Sequence, residues 1–178
     1  AVVGEIVDLR RRGFRFIAAI EKTRSDSAVE SDEIHQVDAQ TAVAKRPTVA
    51  VLPFANMSTD AENEYFCDGL AEELLNALAK IDNLKVAART SSFSFKGKNT
   101  NVGEIGHALS VKTILEGSVR KSGSRVRITV QLINATDGYH LWSERYDREM
   151  KDIFDVQDEI TLAVVDALRL KLFGKEKA

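Results

Sequence analysis

The stretch that decides the fold is "KTILEGSVRKSGSRVRITVQLINATDGYHLWSERYDRE", residues 112–149. In "RVRITVQLI" Val126, Ile128, Val130 and Leu132 alternate with Arg125, Arg127, Thr129 and Gln131. Side chains in a strand point to opposite faces with a period of two, so this segment presents one apolar face and one polar face. That pattern belongs to an antiparallel sheet packed on one side and solvated on the other. "KSGS", residues 121–124, supplies a glycine turn, and "ATDG", residues 135–138, supplies an Asp-Gly turn. Both are hairpin signals between strands. Three consecutive strands follow. The last carries Tyr139, Leu141, Ser143 and Arg145 on one side, and His140, Trp142, Glu144 and Tyr146 on the other.

After this meander, "DIFDVQDEITLAVVDALRLKLFG" repeats Ile153, Val156, Ile160, Val164, Ala167, Leu168 and Leu172 at helical spacing. Gly174 is its expected end, with Lys171 and Lys175 at the negative pole of the dipole. Upstream, "TVAVLPF" is a continuous apolar run, the mark of a central strand buried on both faces, and Pro53 is expected to stop it. Phe66, Leu70, Leu74, Ala77, Leu78 and Ile81 then recur as one helical stripe, with acids in the first turns. "LKVAAR" (84–89) reads as a second strand, and "TSSFSFKGKNT" as a loop whose Phe93 and Phe95 tuck into the core. "NVGEIGHALS" reads as a short helix with Val102, Ile105 and Leu109 on one face. The predicted order is β-α-β-α-β-β-β-α, an α/β fold of mixed sheet with helices packed over one face.

The domain plan has three parts. Residues 1–20 hold a strand, a basic turn and a strand; residues 21–46 are rich in Ser, Asp, Glu, Gln and Ala; residues 47–174 hold the α/β domain. The middle part buries too little apolar surface to offset its ordering entropy and reads as a linker. The chain starts without Met and reads as part of something longer.

Composition narrows the function. The 178 residues include 44% hydrophobic and 29% charged side chains, enough for a real core. Net charge is −2, so a nucleic-acid contact has to come from a local patch. A single cysteine, Cys67, allows neither an internal disulfide nor a cysteine metal site, and small buried filler is its expected role. No apolar run reaches the ~20 residues that a bilayer crossing requires.

Candidate chemistry is sparse. Asp60, Glu62, Glu64, Asp68, Glu72 and Glu73 cluster around one helix start but lack a calcium-loop pattern. Acids favouring the positive end of the dipole account for them. Ser91, Ser92 and Ser94 sit in no nucleophile elbow. His35, His107 and His140 are spaced too widely for a His-x-x-x-His zinc pair. "KGKNTN" lacks the spacing of a phosphate loop. Arg120, Lys121, Arg125 and Arg127 on the first hairpin read as a solvated face, and Trp142 and Tyr146 as packing under the last helix. The residues therefore predict no catalytic site, no metal and no cofactor.

Two resemblances add to this. "VAVLPFANMSTDAENEYFCDGLAEELLNAL", "LKVAARTSSFSFKG", the meander and "DIFDVQDEI" resemble the TolB amino-terminal-like domain of bacterial signalling regulators over residues 47–173. That resemblance implies a mixed α/β interaction or signal-input domain without catalytic residues. It also implies a place after a winged helix-turn-helix or a class III adenylate cyclase domain. "EIVDLRRRGFRFIAAIE" is similar to the closing wing hairpin of OmpR/PhoB-type winged-helix domains. That similarity implies Arg10, Arg11, Arg12 and Arg15 near DNA phosphates, with the bases read by a helix upstream.

The resulting expectation is a cytoplasmic, non-catalytic module of a bacterial transcriptional regulator. Its DNA binding resides in the upstream domain, and a protein partner or self-association engages the α/β domain. Two alternatives stand beside it: a regulatory segment of a class III adenylate cyclase-type protein, and a TolB-like envelope assembly protein, which would be periplasmic and carry an upstream signal or anchor.

Overall fold

The computed structural model describes residues 46–174. The wing-like hairpin with Arg10, Arg11, Arg12 and Arg15, and all of the linker before Arg46, lie outside the described residues. The described chain runs β1 (Thr48–Val51), β2 (Ala55–Asn56), α1 (Glu62–Ala79), β3 (Lys85–Val86), α2 (Arg89–Phe93), α3 (Val102–Leu109), β4 (Thr113–Ser122), β5 (Arg125–Asn134), β6 (His140–Glu149) and α4 (Ile153–Phe173). It is a mixed α/β fold. The sheet order is β3-β1-β4-β5-β6, with β2 also on β4. β1 is parallel to β3 and to β4, while β4, β5 and β6 form the antiparallel meander.

The hairpin signals hold. Gly123 takes φ +59° in a two-residue turn that closes the Ser122–Arg125 pair, and Gly138 takes φ +76° before β6. A glycine occupies such a left-handed conformation without the cost a side chain would add.

The first strand departs from expectation at Pro53. The proline ends β1 but not the pairing. Val51 lies opposite Leu115 and Ala55 opposite Ser118, so four steps along β1–β2 match three along β4. The extra residue is a bulge at Leu52–Phe54, which suits a residue with no N–H to donate. The bulge swings Phe54 into the core above Gly117, where an added Cβ would run into Thr129 O and the Phe54 ring.

Three other details also change. β3 covers only Lys85–Val86, and Arg89 starts the helical turn α2 in place of the expected loop. The helices do not share one face. Val49, Val51, Leu115, Ile128, Val130 and Leu132 pack with α1 and α4 on one side. Leu52, Ile114 and Ala135 pack with α3 on the other. The sheet residues alternate between these clusters, so β1 and the start of β4 are covered twice. Phe93 goes to the first cluster and Phe95 to the second, which is how a loop bearing both reaches the core from two sides.

The helix stripes are filled as the periodicity predicts. α1 buries Phe66, Leu70, Leu74 and Leu78; α4 buries Val156, Ile160, Val164 and Leu168. Ile153 is an exception and stays exposed at the start of α4. Side chains cap two starts: Asn101 Oδ1 accepts from Glu104 N (2.9 Å), and Asp152 Oδ1 accepts from Phe154 N (2.8 Å). α1 and α4 meet at Gly69, where Gln157 Nε2 donates to Phe66 O across 3.2 Å.

Candidate functional site

Beyond the start of β4 and the end of β5, where α3 packs, the second face of the meander is uncovered by the described helices and carries polar rows set by the register. Arg120 stands opposite Arg127, which stands opposite Asp147. Ser118, Thr129 and Arg145 form the next row. Ser122, Arg125 and Glu149 form the row at the hairpin end. Arg127 donates twice to Asp147, from Nε at 2.6 Å and from a terminal nitrogen at 3.1 Å. Arg145 approaches the same carboxylate at 4.0 Å. The Arg127 hydrogen bonds, then the charges of Arg127, Arg145 and Arg125, hold the Asp147 carboxyl below its ordinary range. Arg120, Ser122, Arg125, Val126, Arg127 and Asp147 border a shallow depression of about 250 Å³. This face offers directed donors and acceptors at a surface, and it contains no nucleophile paired with a base.

The other sequence candidates are spread over the fold. Lys121, unlike Arg120 and Arg127, lies opposite Val126 on the opposite side of the hairpin and reaches Asp60 at 3.3 Å. The hydrogen bond from Glu62 N, then that from Lys121, lowers the Asp60 pKa. Glu64 and Asp68 share Lys96, at 2.7 and 2.6 Å, and Glu72 pairs with Arg89 at 3.4 Å. The hydrogen bond from Lys96 is the main cause that lowers Glu64. The acidic cluster thus neutralises lysines and an arginine from later segments. Among the described residues no group of three His, Cys, Asp or Glu side chains is placed to hold a metal ion.

The serines and histidines are not brought together. Ser92 is buried in α2, Ser94 Oγ donates to Ser91 O, His107 is on α3, and His140 pairs with Ile133 on β6. A bulge between Leu132 and Ile133 puts His140 out of step with Trp142, so the expected grouping of His140 with Trp142, Glu144 and Tyr146 on one side fails there. Cys67 is buried, and desolvation followed by the nearby Glu64 and Asp68 charges pushes its thiol up to about 12. It is inert filler at neutral pH. In "KGKNTN", which lacks phosphate-loop spacing, Lys96 is occupied by its two carboxylates, and Lys98 lies 5.9 Å from the Phe95 ring centroid.

Sequence reasoning missed a polar clamp beside α1. Asn63 Nδ2 donates to Asn56 Oδ1 (2.7 Å), Asn56 Nδ2 donates to Asp60 O (3.1 Å), and Ser58 Oγ accepts from Lys121 N (2.7 Å). It ties the loop after β2 to the tip of the first hairpin. Nothing in the spacing of these residues announces it, because the contacts span up to 63 positions in sequence.

Residues 44–163 match the HilA/YgeH-like transcriptional regulator second-domain family. The chain belongs to that family. A relative from Rhizobium meliloti (strain 1021), named "Putative adenylate cyclase 3", is 50% identical over 132 residues. That alignment takes in 74% of this chain and only 22% of the relative. Lipoprotein GNA1162 from Neisseria meningitidis superposes with a TM-score of 0.51 at 16% identity, covering 68% of this chain and 95% of that one. At that identity the likeness shows the fold alone. TolB from Acinetobacter baumannii superposes with a TM-score of 0.47 at 16% identity, covering 68% of this chain and 28% of that one. Among the described residues no helix is long and apolar enough to cross a membrane.

Proposed function

We propose that the α/β domain is a non-catalytic interaction and signal-input module of a cytoplasmic bacterial transcriptional regulator, and that DNA binding resides in a winged-helix domain upstream. The observation that carries this reading is membership of a family defined as the second domain of transcriptional regulators. The site agrees in kind: its charged groups are engaged in surface ion pairs rather than assembled around a reacting atom. In this reading Arg10, Arg11, Arg12 and Arg15 form the wing and meet phosphates, positioning the protein without reading sequence.

The test is a gel-shift titration of the complete encoded polypeptide against its own upstream region at several salt concentrations. The expected result is binding that weakens with salt, with a shallower salt dependence when Arg10, Arg11 and Arg12 are changed to Ala. Absence of DNA binding at low salt sinks the regulator reading.

The 50% identity to a cyclase-named relative supports a second reading, a regulatory segment of a class III adenylate cyclase-type protein. Both readings make the domain an accessory to another activity. Cyclic AMP formation from ATP by the same complete polypeptide, measured in parallel, separates them.

A further inference from the structure

β6 is the outermost strand. β5 pairs with it on one side, and among the described residues no strand pairs on the other. An open edge of ten residues presents backbone donors and acceptors to any incoming strand. Charges on an edge normally discourage pairing, because they fall opposite like charges or apolar groups. Whether they do so here depends on register.

Two antiparallel copies of β6, related by a two-fold axis normal to the sheet, oppose residues of the same face, so the axis passes through a residue. An axis at Glu144 sets that acid against itself and Trp142 against Tyr146. An axis at Arg145 sets that base against itself and Trp142 against Arg148. An axis at Ser143 leaves Trp142 opposite Glu144, with no pair of opposite charges. An axis at Tyr146 sets Arg145 opposite Asp147 and Glu144 opposite Arg148, each pair occurring twice by symmetry. Axes nearer the strand ends pair fewer residues. Only the Tyr146 register converts the charges of β6 from a block into a code.

One further observation favours that register. Asp147 and Arg148 are already held, by Arg127 at 2.6 Å and Glu159 at 2.6 Å, so little side-chain ordering remains to be lost.

We propose that a second copy of this chain docks antiparallel along β6 with the two-fold axis at Tyr146, continuing the sheet across a dimer. The proposal rests on the interaction-module reading and names its partner as another copy.

Sedimentation of the full 178-residue chain over a concentration series, at low and high salt, tests it. The expected result is a monomer–dimer equilibrium weakened by salt. Glu144→Arg and Arg148→Glu each weaken it by about tenfold or more, since an attraction becomes a repulsion at two symmetric positions. An equimolar mixture of the two variants recovers the dimer, because in the mixed pair each introduced charge meets its opposite. Should either variant lose its fold by circular dichroism, a cysteine pair gives the answer. Ser143→Cys/Glu149→Cys cross-links between copies on oxidation, and Ser143→Cys/Asp147→Cys, which fits the Arg145 axis, does not.

A wild-type chain that stays monomeric overturns the proposal. So does a dimer indifferent to both charge reversals, or cross-linking by the second cysteine pair alone. Any of these leaves the regulator reading intact, since that is judged by DNA binding of the complete polypeptide.

Discussion

The two faces of the meander share the same three strands and differ in almost everything else. Ile128 and Thr129 are neighbours in β5, yet Ile128 is sealed beneath helices and Thr129 lies between Ser118 and Arg145 on the polar face. The closed face is held by burial, at roughly 25 cal/mol for each Å² of apolar surface removed from water. The open face is held by backbone pairing alone, with ion pairs that are worth little in solvent. The lesson is a division of labour. One face stores the stability of the domain, which leaves the other, with its edge at β6, able to change without unfolding it. Predictions that break this comparison begin on the closed face.

The largest effect is expected at the bulge. Phe54→Ala removes a buried aromatic ring and costs about 3–5 kcal/mol. Gly117→Ala places a methyl against the same ring and against Thr129 O, and costs about 1–3 kcal/mol. The two substitutions touch one another, so they are not additive. The double variant is expected to be more stable than the sum of the single losses predicts. Urea unfolding of all four chains measures this. Strict additivity would show that Gly117 is not there to accommodate Phe54.

Next comes the helix pair that seals the closed face. Gln157→Ala leaves a cavity beside Gly69 and removes the bond to Phe66 O, at a cost of about 1–3 kcal/mol. Gln157→Leu fills the space but offers no donor, and is expected to recover part of the loss. If both variants match the wild type in thermal unfolding, the contact between α1 and α4 does not depend on this amide.

These two sites also show where the sequence is legible and where it is not. Apolar residues repeat at a period of two in β5 and at helical spacing in α1, α3 and α4, because burial selects on the local period. The glycine turns are legible because positive φ restricts residue choice. The bulge is different. Pro53 announces an interruption, but whether a strand stops or kinks there depends on β4, which lies more than 60 positions downstream. The two-residue β3 and the turn of helix in α2 are too short for periodicity to mark them. The split of helices between faces follows from β1 and the start of β4 being apolar on both sides, and only in β1 is the apolar run long enough to announce it. As for the candidate surface, the alternation placed Arg125 and Arg127 on the polar side of β5. The partnership of Arg127 with Asp147 needed the cross-strand register, which a second bulge in β6 makes hard to count from the turn.

The smallest effects belong to the open face. Arg145→Ala or Gln131→Lys is expected to change the stability of the monomer by no more than about 0.5 kcal/mol, against several for a truncation at Ile128 one layer away. Asp147→Asn tests the face by pH. The folded-state pKa of Asp147 is lowered, chiefly by the Arg127 hydrogen bonds, so its contribution is present above the unfolded value of about 4 and is lost as pH falls through the folded value. The variant should therefore differ from the wild type near neutrality and converge with it in acid. Asp60 and Glu64 are lowered in the same direction and remain in both chains, so the general acid slope persists and only the difference between the curves reports Asp147. Being exposed, the Arg127 pair is screened by salt, and the difference should shrink as ionic strength rises. A gap that survives high salt, or that widens toward acid, would mean that the open face contributes to the fold in a way that surface ion pairs do not, and the division between the two faces would fail.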